Sequence, residues 1–104
     1  MDLKKMAGHL DVSEADFLEL AALFVTTCFS DLAKIETGLV AGDAEQVAHA
    51  AHSIKGAAGN LGFAGLSAIA STMETSALAG SLDGLKEKTA ELQQQIDTIQ
   101  TAIG

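Results

Sequence analysis

No proline, tryptophan, tyrosine or arginine occurs anywhere in the chain, and its only aromatic residues are four phenylalanines. Without proline, no position is barred from a helix interior. Alanine, leucine, glutamate and glutamine dominate between the glycines, which favours helix, while the scarcity of aromatics disfavours sheet. Without arginine there is no fork for bidentate recognition of phosphate or carboxylate. Six lysines stand against 14 acidic residues, a net charge of −8, and this excludes a nucleic-acid partner, whose phosphates need clustered cations. The single cysteine, Cys28, has no internal disulfide partner; it fits a reducing cytosol and packs as a small apolar residue. The N-terminus, Met1-Asp2-Leu3-Lys4-Lys5, lacks the apolar run of a signal peptide. The longest uncharged run, Gly56 to Met73, carries Gly59, Asn60, Gly62 and several hydroxyls, and is too polar to span a bilayer. The expectation is one soluble, cytoplasmic, all-α domain over residues 1–104.

What remains is patterned for helices. Residues 3–10 can form a short amphipathic helix with Leu3, Met6 and Leu10 on one side. Ser13 is placed to cap the next helix while Asp16 reaches back, and the early acids suit the positive end of its dipole. Phe17, Leu20, Ala21, Phe24, Cys28, Leu32, Ile35 and Leu39 then recur at threes and fours to about Val40. Ala41-Gly42 stops that helix, and Asp43 with Gln46 opens another. Its inward stripe is Val47, Ala50, Ile54, Ala57 or Ala58, and Leu61, with Gly62 just past its end. A third long helix runs from Phe63 or Ala64 to Leu78, with Leu66, Ile69, Ala70, Met73 and Ala77 inward. After Ala79-Gly80 a last one starts at Ser81 or Leu82 and buries Leu85, Leu92, Ile96, Ile99 and Ile103. Short connections make neighbours antiparallel, so residues 13–103 read as an up-down antiparallel four-helix bundle.

One stretch stands apart. Between Gln46 and Met73 the only formal charge is Lys55, in an otherwise acidic protein. At about 100° per residue His52 lies roughly 160° from Ile54 and points to solvent. Ala48 lies one turn before it, Lys55 and Gly56 one turn after, and Gly59 one turn beyond those. Each glycine in a helix interior costs about 1 kcal/mol relative to alanine, a cost most easily understood if another body approaches the backbone closely.

Three readings compete for His52. It is an ordinary exposed histidine, or a metal ligand with His49 and Cys28, or a nucleophilic imidazole. The metal reading lacks an acidic or cysteine cluster to complete a shell, so no metal is assigned. For the third, a histidine of ordinary pKa near 6.5 is largely neutral in the cytoplasm, and Lys55 can balance an incoming phosphoryl charge. A phosphate-loop reading fails, because the lysine precedes the glycines and they sit late in a helix.

The stretch resembles the signature of the histidine-containing phosphotransfer (HPt) domain, His-x-x-Lys-Gly followed by a further glycine, here His52, Lys55, Gly56 and Gly62. The likeness continues through Leu66, Ala70, Met73 and Glu74 and includes the helix order over nearly the whole chain. The resemblance implies that His52 is phosphorylated through Nε2, with Lys55 beside the phosphoryl group and Gly56 keeping the approach open. It implies that Glu74, on the next helix, accepts a hydrogen bond from the imidazole Nδ1–H. Many relatives carry Ser or Ala where this chain has Gly59, a departure expected to alter docking or helix stiffness. Ala48, Gly56 and Gly59 are the expected docking positions.

The implied role is a phosphorelay intermediate serving receiver domains and a hybrid histidine kinase. It would have no ATP site and no cofactor of its own, the Mg²⁺ coming from the partner receiver; a monomer is expected. Two alternatives are a P1-type substrate domain of a chemotaxis-like kinase, towards which Glu74 leans, and a helical adaptor that docks receivers without phosphorylation.

Overall fold

Ser13 and Asp43 act where the sequence places them. The Ser13 side chain accepts from the Asp16 amide at 3.0 Å, and Asp43 accepts from the Gln46 amide at 3.1 Å; each satisfies a donor that a helix start leaves open. The computed structural model describes residues 2–104, and these form five helices. They are α1 (Leu3–His9), α2 (Glu14–Ala41), α3 (Ala44–Leu61), α4 (Ala64–Leu78) and α5 (Leu85–Ile103). Among the described residues there is no strand. Gly42 and Gly62, at φ 70° and 86°, terminate α2 and α3 in the left-handed conformation, which glycine adopts without a Cβ penalty.

The fourth long helix starts later than the sequence suggests. Residues 81–84 are non-helical, with a turn at 83–84, and α5 begins at Leu85 because Gly84 has φ 74°, a left-handed conformation that does not continue a right-handed helix.

α2 packs on α3 and α5, α3 on α4, and α4 on α5, while α1 lies against α2. The α2/α3 pair is antiparallel, since Gly38 meets Val47 at one level and Asp31 meets Ser53 at another. α3 and α4 are also antiparallel, with His52 opposite Glu74 and Lys55 opposite Ser67. At Gly38 α2 and α3 approach closely: a Cβ there would stand 2.8 Å from Val47 Cγ2 and 3.1 Å from the Asp43 carbonyl oxygen.

The core is aliphatic, built from Leu32, Ile35, Val47, Ile54, Leu66, Met73, Leu92 and Ile96. Near α1 it includes a stack of Phe24 on Phe63, with ring centroids 5.3 Å apart. Leu20, on the stripe by its spacing, is instead exposed. The molecule is a rod of 42 × 21 × 17 Å. Among the described residues no helix is long and apolar enough to cross a membrane.

Candidate functional site

α3 is buried on two sides, by α2 along Val47, Ala50 and Ile54, and by α4 along its other flank. The strip between them is open, and His52 stands on it with its side chain 66% exposed. Neighbouring Met73 and Ala77 are buried and fix the face of α4. Glu74 thereby reaches the edge of the α3/α4 groove, where its side chain is 14% exposed.

One carboxylate serves two cation-forming groups. Glu74 Oε2 lies 2.6 Å from His52 Nδ1, and Glu74 Oε1 lies 2.5 Å from Lys55 Nζ. The Lys55 hydrogen bond, reinforced by that of His52 and opposed by partial burial, holds the Glu74 carboxyl below the usual carboxylate range. An ionised carboxylate only accepts hydrogen bonds, so Nδ1 must be the ring nitrogen that donates. Nε2 then carries the lone pair, and among the described residues it has no hydrogen-bond partner. The ring is thus oriented by one nitrogen and available at the other.

The glycines divide. A Cβ at Gly56 would meet nothing within 4 Å, whereas one at Gly59 would lie 3.6 Å from Ser67 Oγ on α4. Gly59 is exposed but leans towards α4. Ala48 requires a correction: it is only 4% exposed and belongs to the core. Four residues per turn is slightly more than the helical period, so a residue four before His52 is rotated about 40° from it. For Ala48 that rotation leads inward, and its side chain offers no surface to a partner.

Three further contacts at this level carry no sequence motif. Ser53 Oγ donates to Asp31 Oδ2 on α2 at 2.7 Å, and Ser67 Oγ donates to the Lys55 carbonyl at 3.0 Å. The third is the Lys55–Glu74 ion pair, which turns the ammonium towards α4. A usable signal existed for Asp31, an acidic residue at core spacing between Cys28 and Ile35.

The set His49, His52 and Cys28 is not assembled. Cys28 is buried, His49 lies in the α2/α3 cleft, and among the described residues no three His, Cys, Asp or Glu side chains are grouped to hold a metal ion. Burial, and secondarily the charge of Asp31, push the Cys28 thiol up to about 12, so it stays protonated and unreactive at neutral pH.

The sequence profile described as "Hpt domain" matches residues 19–102. No curated protein sequence matches the chain. The crystal structure of histidine-containing phosphotransfer protein B (HptB) from Pseudomonas aeruginosa PAO1 is similar to it with a TM-score of 0.86 and 26% identity, over 99% of this chain and 90% of that one. The profile spans most of the chain and the frame is all-helical, and the chain belongs to the Hpt domain family of phosphorelay phosphocarriers.

Proposed function

We propose that His52 Nε2 accepts a phosphoryl group from the aspartyl-phosphate of a receiver domain and later passes it to the aspartate of a second receiver. The observation that carries this is the 2.6 Å contact from Glu74 to Nδ1, which leaves Nε2 as the free, solvent-facing nucleophile. In the forward step Nε2 attacks phosphorus in line. The P–N bond forms as the aspartyl P–O bond breaks, and the electron pair leaves on the receiver's carboxylate. The Nδ1 proton stays, and Glu74 stabilises the positive charge that the ring acquires. Lys55 lies one turn away to offset phosphoryl charge, Gly56 leaves the backbone open, and Gly59 borders the same approach.

Positioning and charge stabilisation supply most of the acceleration in phosphoryl transfer. In this reading the receiver brings the Mg²⁺, and the chain itself holds neither cofactor nor ATP. The long helices α2 to α5 act as an up-down four-helix bundle; the antiparallel α2/α3 and α3/α4 contacts support that reading. The chain works as a cytoplasmic monomer between a hybrid histidine kinase and its regulators. Glu74, being a carboxylate, favours a second reading, a P1-type substrate domain phosphorylated directly by an ATP-bound kinase domain.

The test mixes wild type and His52→Gln with receiver domains phosphorylated by acetyl phosphate. Acid-labile, alkali-stable label on wild type alone is expected. Equal labelling of His52→Gln, or none from any receiver, would refute the proposal; label arising only with a kinase domain and ATP would favour the second reading.

A further inference from the structure

The buried side of α3 is mostly alanine: Ala48, Ala50, Ala51 and Ala58. Alanines present shallow ridges, so on this face only Val47 and Ile54 index the rotation of the helix about its own axis, and Val47 does so a turn or more from His52. Rotation matters here. With Cα atoms about 2.3 Å from the axis, the imidazole lies roughly 6 Å out, so a 10° rotation moves it by about 1 Å. A displacement of that size directed away from Glu74 would stretch the 2.6 Å hydrogen bond to about 3.6 Å, where it is no longer bonding.

Two hydroxyl contacts flank the His52 turn, one on each side. Towards α2, Ser53 donates to Asp31, a carboxylate only 6% exposed between the core residues Cys28, Leu32 and Ile35. Towards α4, Ser67 donates to the carbonyl of Lys55. Asp31 also lines the polar cleft between α2 and α3 with Lys34 and His49, and at a position this covered an apolar residue of similar volume is often no less stable.

We infer that Asp31, acting through Ser53, and Ser67, acting through the Lys55 carbonyl, are positioning residues that fix the rotation of α3 and so aim His52 Nε2 at the incoming phosphorus. Neither touches the reacting atoms. The inference rests on His52 being the phosphoryl acceptor. A misplacement of about 1 Å costs up to about 100-fold in rate, and loss of one of two struts is expected to cost about 10-fold.

The experiment measures single-turnover transfer from an acetyl-phosphate-loaded receiver over a range of receiver concentrations. It compares wild type, Ser53→Ala, Ser53→Thr, Ser67→Ala and Asp31→Leu, with ¹⁵N NMR of the His52 ring and urea unfolding of each. Ser53→Ala should lower the maximal rate about 10-fold and leave the half-saturating concentration unchanged, because the docking strip is intact. Its ring nitrogens should move from the Nδ1–H pattern towards an average of tautomers, while Ser53→Thr, which keeps the hydroxyl, restores rate and spectrum. Asp31→Leu should slow transfer without a matching loss of stability. Wild-type rates and ring signals in both serine variants would overturn the inference, as would rate losses that merely follow the fraction unfolded. Absence of label on wild type would instead remove the acceptor role itself, and the inference with it.

Discussion

Replacing Gly56 by alanine should make the protein more stable and a worse phosphocarrier. Gly56 lies inside α3, and a Cβ built on it has no atom within 4 Å. The substitution therefore brings no clash, only the gain in helix propensity, about 1 kcal/mol. For a domain of this size, 1 kcal/mol raises Tm by about 5 °C. The added methyl projects about 1.5 Å into the strip beside His52, a distance set by one carbon–carbon bond. A receiver seated there is held off by a comparable amount, and a displacement of 1 Å at a reacting centre costs up to about 100-fold. Thermal unfolding by circular dichroism and single-turnover transfer on the same preparation measure both effects. Unchanged or lower Tm would refute the claim that the glycine stands in open helix. A higher Tm with undiminished transfer would refute the claim that a partner closes on the backbone at Gly56.

Gly38→Ala should behave oppositely, because its Cβ would be driven against Val47 Cγ2 and the Asp43 carbonyl; a loss of about 1–3 kcal/mol is expected, read from the urea midpoint. Glu74 has a folded-state pKa below its unfolded value, so its stabilisation is complete above the unfolded value, near 4.3, and fades as pH falls through the folded one. The stability gap between wild type and Glu74→Gln should close as the solution is acidified below about pH 4, where the carboxyl is protonated; a gap that persists in strongly acidic solution would exclude the ion pair. The Cys28 thiol, raised to about 12, shifts the other way: its contribution is intact below the unfolded value of about 8.5 and is lost as pH rises towards the folded one. Native protein should resist thiol reagents at pH 8 and react fully in urea; rapid labelling of the native form would contradict its burial.

The helices were legible because their signals are local. Ser13 and Asp43 carry the acceptors that open α2 and α3, Gly42 and Gly62 supply the conformations that close them, and the apolar spacing in α2, from Phe17 to Leu39, spans about six turns. His52 and Lys55 were legible as well, since angular position on one helix follows from numbering. The start of α5 was missed because Ser81 and Leu82 look like a cap and first turn, and only the backbone at Gly84 shows that the chain is still turning. Ala48 was misplaced because an alanine gives no hint of whether a neighbouring helix covers it. The Asp31–Ser53 and Ser67–Lys55 contacts join different helices, so they depend on register between elements, and a linear pattern does not encode register. The double use of Glu74 has the same origin: resemblance pointed to His52, but its second oxygen on Lys55 follows from where α4 sets the carboxylate.

His52 lies at the middle of α3, on one narrow strip whose flanks are closed by α2 and α4. Under the proposed carrier reaction, donor and acceptor must use that strip in turn, because two globular partners do not fit over one imidazole. Traffic through the protein is then ping-pong, and each delivery waits for the previous partner to leave. With an association rate of about 10⁶ M⁻¹s⁻¹, a partner bound at 1 μM stays about a second, and one bound at 1 nM stays many minutes. Tight binding would choke the relay, so a small, nearly uncharged docking face serves throughput as much as chemistry.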